Sequence, residues 1–413
     1  MQVFDTSAIL ITGLGVISAI GQGKEAFSAA LLNGESHFDV MKRPGRQCHT
    51  ESAATQFIGA EIASVSIPEI VPGGIRRTAS LTGRVALATL HEAWNDAALA
   101  EVDPTRIGLI VGGSNLQQRE LTQIHEAYRE KPQFLRPAYA LSFMDSDVCG
   151  MCTETFGIQG FAYTVGGASA SGQLAVLQAV SAVESGQVDV CIALGALMDL
   201  SFWECQGFRS LGAMGSNTFA HEPARACRPF DKRRDGFIFG EACGALVIER
   251  AGTIRRAGVN PYARITGWSM RMDSNRNANP SLAGEVSVIR QALHKAGLEA
   301  ADIDYINAHG SGSGLGDETE LQAIAHCGLR HAYINGTKSL TGHGLSAAGA
   351  VELIATVLQM QAKQLHPTRN LDDPIDDSYN WVRHHSVDHT IERGLKMSMG
   401  FGGVNSALCL ERI

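Results

Sequence analysis

A serine at position 169 lies in a pattern that suits an active-site turn. It follows a β-prone run (163–165) and two glycines, and a helix-like stretch comes after it. The pattern predicts a tight strand-to-helix turn that presents Ser169 at a helix N-terminus, where free N–H groups and the helix dipole favour negative charge. The alternative is a packed turn of small residues in which Ser169 only caps the helix. The segment alone leaves both interpretations open.

Two histidines and a lysine have positions that suit stabilisation of an anion. His309 stands where a predicted strand ends, and a loop rich in glycine and serine follows it. Strand ends that face loops are where α/β proteins place chemistry. Lys338 and His343 share a glycine-containing loop before an alanine-rich helix, which suits an electrostatic pair directed at an anion. The competing interpretations are that His309 is structural, that His343 caps a helix and that Lys338 lies on the surface.

A fourth segment, residues 399–405, has glycines on both sides of Phe401. Glycines around one bulky aromatic side chain suit a hinge with a movable gate. The competing interpretation is a glycine-rich turn with a core phenylalanine.

Apolar runs, several of them next to glycine, alternate with longer helix-like stretches, and this alternation predicts the elements that position these residues. Buried runs between helices indicate largely buried sheets covered by helices. We predict two similar halves, 1–255 and 256–413, joined by a connector at 255–261. The predicted strands are 9–12, 107–111, 188–194, 245–248, 263–266, 303–308, 333–335 and 407–410. The predicted helices are 81–98, 172–185, 286–296 and 347–362.

Composition excludes several classes of protein. The 413 residues are 45% hydrophobic and 18% charged, with a net charge of −8, which argues against nucleic-acid binding. The first residues carry no basic stretch typical of a signal peptide, and no apolar run approaches the roughly 20 residues that span a bilayer. The nine cysteines are scattered. We therefore expect a cytoplasmic protein with free thiols and no membrane partner.

Taken together and in this order, the motifs resemble those of the β-ketoacyl-acyl-carrier-protein synthases over nearly the whole chain. Residues 9–18 resemble that family's opening strand and turn, and 228–231, 234–237 and 240–241 its central signature. The resemblance implies an α/β, thiolase-like fold in which two similar halves form a five-layered α-β-α-β-α sandwich. The N-terminal half would carry Ser169. The C-terminal half would carry His309, Lys338, His343 and Phe401.

The chain departs from the family at the nucleophile. The family has Val-Asp-Thr-Ala-Cys-Ser-Ser, whereas residues 165–171 are Val-Gly-Gly-Ala-Ser-Ala-Ser, so Ser169 fills the cysteine position. A thiol ionises near pH 8.5, roughly, and lower at a helix N-terminus. An alcohol needs a dedicated base to attack a thioester. We therefore expect chain condensation to fail.

The histidine pair that the family uses for decarboxylation is retained at His309 and His343. The resemblance is strongest to the decarboxylases of polyketide β-branching cassettes, which carry serine in a Gly-Gly-Ala-Ser-Ala-Ser-Gly setting. It implies decarboxylation of malonyl-ACP to acetyl-ACP in polyketide biosynthesis, with Lys338 lending positive charge and Phe401 gating the pocket. Ser311 and Ser313 would contact the phosphopantetheine arm. No metal and no cofactor beyond that arm are implied.

The resemblance also implies partners: an acyl carrier protein, a second copy of the chain paired near residues 163–165, and a hydroxymethylglutaryl-synthase-like enzyme that shares the carrier. Two other functions stay open, a ketosynthase-like acyltransferase that uses Ser169 and a non-catalytic subunit of the chain-length-factor type. Because carrier proteins are acidic, docking requires a local basic patch. The candidates, which solvation or ion pairing would explain equally well, are Arg76, Arg77, Lys232, Arg233 and Arg234.

Overall fold

The computed structural model describes residues 5–50 and 53–413. The first four residues of the segment that we predict not to be a signal peptide lie outside this range. The helices are α1 (Lys24–Leu32), α2 (Gly73–Thr78), α3 (Leu81–Asp96), α4 (Gln118–Tyr128), α5 (Tyr139–Ser142), α6 (Ser146–Phe156), α7 (Ser171–Glu184), α8 (Phe202–Ser210), α9 (Leu282–Ala296), α10 (Gly314–His326), α11 (Lys338–Thr341) and α12 (Ala348–Ala362).

Twelve strands form one sheet. They are β1 (Ile9–Ser18), β2 (Gly21–Gln22), β3 (Ile107–Gly112), β4 (Phe161–Val165), β5 (Val190–Gly195), β6 (Ala242–Arg250), β7 (Ala263–Met272), β8 (Tyr305–Asn307), β9 (Tyr333–Asn335), β10 (Asn380–Trp381), β11 (Arg393–Gly400) and β12 (Val404–Arg412). Short strands outside this sheet are Phe38–Val40, His49–Thr50, Ala53–Ala54, Ile58–Ala60, Phe239–Gly240, Gln364–Leu365 and Val387–Asp388.

The sheet consists of two half-sheets with the same pattern of pairing. In the first, β3 pairs in parallel with β4 and with β5, then β5 pairs with β6 and β6 with β1, both antiparallel. In the second, β8 pairs in parallel with β9 and with β11, then β11 pairs with β12 and β12 with β7, both antiparallel. The two join where β1 pairs with β7 over only three residues, Ile9–Ile11 in β1. The chain therefore folds as two similar halves, and the boundary at residue 255 stays a prediction.

Alternation of side chains along the strands divides the core into layers. Leu246 on β6 packs inward against α7 and α12, whereas Val247 packs outward against α3 and α6. Leu408 on β12 likewise faces the central helices, and Cys409 faces α9 and α10. Strands buried on both faces explain the unbroken apolar runs in the sequence. The order of layers is helices, half-sheet, central helices, half-sheet, helices, which confirms the predicted five-layered sandwich.

Glycines set the closest approaches in this core. A Cβ atom on Gly349 of α12 would lie 2.6 Å from the backbone nitrogen of Gln173, so the two central helices touch backbone to backbone. The first predicted strand is wrong at its end, because β1 continues through Gly13 and Gly15 to Ser18. A Cβ on Gly15 would lie 2.1 Å from the carbonyl oxygen of Thr89, so these glycines admit α3 rather than end the strand.

One stretch of the described residues, Leu345–Ala362, is long and apolar enough to cross a membrane by length and composition, and 89% of it is buried inside the protein. It comprises α12 and the turn before it, the centre of the sandwich.

Candidate active site

The turn that holds Ser169 forms as predicted, between β4 and α7. Ala168 adopts a left-handed backbone conformation with φ of 49°, and a single 3-10 turn, Ala168–Ala170, leads into the helix. The Ser171 hydroxyl closes the turn, because it accepts a hydrogen bond from the N–H of Gly167 (2.9 Å) and donates one to the carbonyl of Ala168 (2.7 Å). The N-cap of α7 is Ala170, so the interpretation of Ser169 as a helix cap is wrong.

Six of the predicted site residues line one cavity of about 210 Å³: Ser169, His309, Ser311, Ser313, His343 and Phe401. The seventh, Lys338, lies behind His309, with 1% of its surface exposed. The fold therefore brings together residues from both halves of the chain. Gly400 marks how closely the halves meet, since a Cβ there would lie 2.2 Å from the carbonyl oxygen of Gly167.

The two histidines face each other edge to face, with ring centroids 5.5 Å apart and an interplanar angle of 83°. His343 Nδ1 accepts a hydrogen bond from the backbone N–H of Leu345 (3.2 Å). His309 Nδ1 lies 3.4 Å from Lys338 Nζ, which also donates to the His309 carbonyl. Because an ammonium and a backbone N–H can only donate, Nδ1 is the acceptor in both rings. We assign the proton of each neutral ring to Nε2, which leaves two N–H donors for a ligand in the cavity.

Burial lowers the pKa of both imidazoles well below the usual range, and the positive charge of Lys338 lowers it further. At pH 6 a histidine with the ordinary pKa of about 6.5 is roughly three-quarters protonated. We expect His309 and His343 to stay neutral at pH 6, with the proton on Nε2. Nitrogen NMR of protein labelled with ¹⁵N at histidine would test this. His326 is the solvent-exposed histidine for comparison, and loss of a signal on substitution of one histidine assigns that signal. An imidazolium signal from either ring at pH 6 would contradict the tautomer assignment.

A buried cluster of three charged side chains supports the histidines. Lys338 forms an ion pair with Glu352 of α12, and Lys396 Nζ of β11 lies 2.9 Å from Glu352 Oε2. All three side chains are at most 2% exposed. Burial lowers the pKa of Lys396, and Lys338 acts in the same direction. Glu352 and Lys396 are not among the predicted site residues, although a charged residue inside an apolar helix or strand is itself a signal of pairing.

Two further carboxylates hold the loop after His309. Glu320 accepts hydrogen bonds from the backbone N–H groups of His309 (2.6 Å) and Gly310 (2.8 Å). Asp317 accepts from those of Gly312 (3.0 Å) and Phe230 (2.7 Å). Burial raises the pKa of Asp317 to about 6 and that of Glu320 to about 7. These contacts orient His309 from its backbone.

The loop hydroxyls and Phe401 lie on the cavity wall. Ser311 Oγ donates to Ser313 Oγ (3.1 Å), and Ser313 Oγ accepts from the N–H of Gly316 (3.2 Å), so Ser313 also caps α10. Phe401 is 38% exposed, and its ring lies 6.4 Å from that of Phe208. The next residue, Gly402, has a φ of 89°, a conformation that glycine adopts freely. A gating role for Phe401 stays a prediction.

The predicted docking arginines and lysines separate into two groups. Lys232 pairs with Asp373 (2.8 Å) and Arg233 with Asp372 (2.9 Å). The Arg234 side chain is only 6% exposed and binds Glu318 and the carbonyl of Gly314, so its proposed role in docking is wrong. Arg76 and Arg77 lie on the surface helix α2 and remain the candidates.

The five layers, with Ser169 and the two histidines where the halves meet, define a thiolase-like protein. The sequence model "Beta-ketoacyl synthase, N-terminal domain" matches residues 6–253, and "Beta-ketoacyl synthase, C-terminal domain" matches 262–372. The chain belongs to the β-ketoacyl synthase family.

Individual relatives match nearly the whole length of the chain. The chain is 58% identical to "Polyketide biosynthesis malonyl-ACP decarboxylase PksF" of Bacillus subtilis, over 98% of this chain and 96% of that protein. It is 29% identical to "3-oxoacyl-[acyl-carrier-protein] synthase 2" of Vibrio cholerae, over 98% and 99%. Among solved structures, a β-ketoacyl synthase of Burkholderia phymatum matches with a TM-score of 0.86 at 24% identity, over 98% and 100%. The ishigamide ketosynthase/chain length factor matches with a TM-score of 0.86 at 25% identity, over 98% and 99%.

Proposed function

We propose that this protein converts malonyl-ACP to acetyl-ACP in polyketide biosynthesis and does not join two chains. The observation that carries the proposal is a pair of buried imidazoles at a cavity whose nucleophile position holds a serine, each with its Nδ1 engaged by a donor, so that Nε2 is left for a ligand. The 58% identity to a protein named a malonyl-ACP decarboxylase supports it.

The chemistry follows from the two N–H donors. With the malonyl thioester in the cavity, His309 and His343 donate hydrogen bonds to the thioester oxygen. The bond between the α-carbon and the carboxylate breaks and carbon dioxide leaves. The electron pair of that bond stays with the α-carbon and forms an enolate whose negative oxygen faces the donors. Donors fixed where charge develops stabilise the transition state more than the ground state. Protonation of the α-carbon then gives acetyl.

Ser169 lacks the base that acyl transfer requires. An alcohol attacks a thioester only when a neighbouring group takes its proton. With the proton assigned to Nε2 and Nδ1 occupied by a donor, neither histidine has a free basic nitrogen, and Lys338 is engaged with Glu352 and His309. We therefore propose that Ser169 shapes the pocket and contacts the substrate without forming an acyl-enzyme.

Intact-mass measurement of both proteins after incubation with malonyl-ACP tests this function. We expect the carrier to lose the mass of carbon dioxide while the enzyme mass stays unchanged. Ser169→Ala should retain the rate within about tenfold, which corresponds to about 1.4 kcal/mol in the barrier. An enzyme adduct that disappears in Ser169→Ala would favour the acyltransferase. No turnover together with a stable heterodimer would favour a non-catalytic subunit, and a β-keto product would overturn the proposal.

We also propose a homodimer that pairs through β4. Its support is the position of β4 at the edge of the sheet, with Tyr163 42% exposed and stacked on Phe161 at 5.5 Å between ring centroids. Sedimentation of the same sample measures the assembly.

The carrier would dock near Arg76 and Arg77, its arm would meet Ser311 and Ser313, and no further cofactor would be needed. A hydroxymethylglutaryl-synthase-like enzyme would consume the acetyl-carrier. All nine cysteines are free thiols, which supports a cytoplasmic location.

A further inference from the structure

One acidic group at the cavity has no role in the chemistry described so far. Glu285, in the first turn of α9, lines the same cavity as Ser169 and the two histidines. Its side chain is fully buried, and neither carboxyl oxygen has a hydrogen-bond partner among residues 5–50 and 53–413. A buried polar group without a partner is costly, so a site that retains one calls for an explanation.

The groups around Glu285 are themselves acidic. Glu320, Asp273 and Asp317 all act on it, and within the described part of the chain no lysine or arginine forms an ion pair with it. Burial raises the pKa of Glu285 well above the usual range, and Glu320 is the largest charged contributor in the same direction. The described residues contain no cluster of three or more ligands placed to hold a metal ion. Burial, the acidic neighbours and the lack of any hydrogen-bond donor to its oxygens among the residues that the structure describes all favour the protonated carboxyl form of Glu285.

Contacts of the neighbouring residues fix Glu285 between the two functional loops. Glu320, which is close enough to Glu285 to raise its pKa, accepts a hydrogen bond from the backbone N–H of His309. On the other side, a Cβ on Gly284 would lie 1.9 Å from Asp273 Oδ1 and 2.8 Å from Asn405 Nδ2, so the start of α9 packs on the beginning of β12, which directly follows the loop that carries Phe401. The N–H of Asp273 donates to the carbonyl of Gly403 (2.8 Å). Glu285 thus lies against the histidine loop and the phenylalanine loop at once.

We propose that the Glu285 carboxyl group supplies the proton that replaces carbon dioxide on the acetyl carbon. This inference rests on the proposed decarboxylation. Loss of carbon dioxide leaves an electron pair on the α-carbon of the enolate. A new C–H bond forms from that pair and the Glu285 proton, the enolate oxygen returns to a thioester carbonyl, and Glu285 becomes a carboxylate.

The direction of this transfer follows from proton affinity. The carbon of a thioester enolate is far more basic than any carboxylate, so the transfer is favourable even from a weak acid. The carboxylate that remains is disfavoured by burial and by its three acidic neighbours, so it takes a proton from water before the next turnover. Positioned general acids contribute about 10²–10⁴-fold to rate.

Glu285→Gln is the sharpest test, because glutamine keeps the size and the neutral charge of the protonated acid and lacks only the transferable proton. The reaction is run on malonyl-ACP in buffer with ¹³C-labelled carbon dioxide, and mass spectrometry measures acetyl formation and label in unreacted malonyl. We expect acetyl formation to fall about 100-fold or more. We expect the label to rise above the parent level, because the longer-lived enolate recaptures carbon dioxide. Glu285→Asp, which keeps an acid, should recover part of the rate.

The other outcomes decide against the inference. An unchanged rate of acetyl formation in Glu285→Gln overturns the role of Glu285. A fall in both the rate and the label in malonyl also overturns it, because that is the result expected of a damaged site. Asp304→Asn is the matched control, since burial also raises the pKa of Asp304 but this residue lies outside the cavity. Acetyl formation by the parent enzyme separates this result from failure of the proposed function, which the parent alone would reveal.

Discussion

Replacement of His343 by alanine is expected to lower the rate constant for acetyl formation about 100- to 1000-fold, and replacement of His309 similarly. Each change removes one N–H donor from the oxygen that becomes negative as carbon dioxide leaves, and such donors contribute about 2.7–4 kcal/mol each. Because the bonds strengthen only as charge develops, kcat should fall more than KM rises. Rates from intact-mass time courses with malonyl-ACP measure the effect.

The double variant gives further information. The rings lie 5.5 Å apart and serve one oxygen, so the second substitution should cost less than the first. His326→Ala is the control, because His326 is exposed on α10 and its ring contacts the backbone carbonyl of Gln322 in the same helix through Nδ1. Two single variants as active as the parent would remove the histidines from the mechanism.

Replacement of Glu352 by leucine is expected to lower the free energy of unfolding by about 3–5 kcal/mol. Glu352 is the shared partner of Lys338 and Lys396, and all three are buried in the centre of the sandwich. Without Glu352, two ammonium groups remain in an apolar interior with no counter-charge. Denaturant unfolding of parent and variant measures the loss.

A triple variant separates this effect from simple loss of packing. When Lys338→Met and Lys396→Met accompany Glu352→Leu, the buried charges disappear together, and apolar side chains of similar volume should restore most of the stability. The triple variant should still be poorly active, because the positive charge beside His309 is gone. Equal stability of Glu352→Leu and the parent would mean that the two lysines are not held by this carboxylate.

Much of the site was predictable from local pattern. Small residues between a β-prone run and a helix indicated the turn around Ser169, and the order of the motifs around His309, Lys338, His343 and Phe401 indicated the family. The four predicted helices agree with α3, α7, α9 and α12 to within four residues at each end, whereas the other eight helices that the structure describes were not predicted. The strand β11 was missed, since it carries Lys396 and no strict alternation.

Other site residues escaped because their roles depend on partners distant in the chain. Glu352 lies in an apolar helix and Lys396 in a buried strand, and neither has a local signal for the other. Glu285 looks like an ordinary acid in the first turn of a helix, where the dipole would favour its charge. Only the packing of α9 against α10 and beside the Phe401 loop surrounds it with carboxylates and raises its pKa, which favours the protonated form.

The sequence by itself therefore determined the local chemistry: an alcohol in place of a thiol, two imidazoles on loops, and the alternation of elements that builds a five-layered sandwich. The tertiary structure decided the state of each group, namely which nitrogen of each histidine carries the proton, which carboxylate holds two lysines, and which acid stays neutral. The physical reason is that protonation and charge depend on burial and on nearby charges, and residues far apart in the chain create both when the two halves meet.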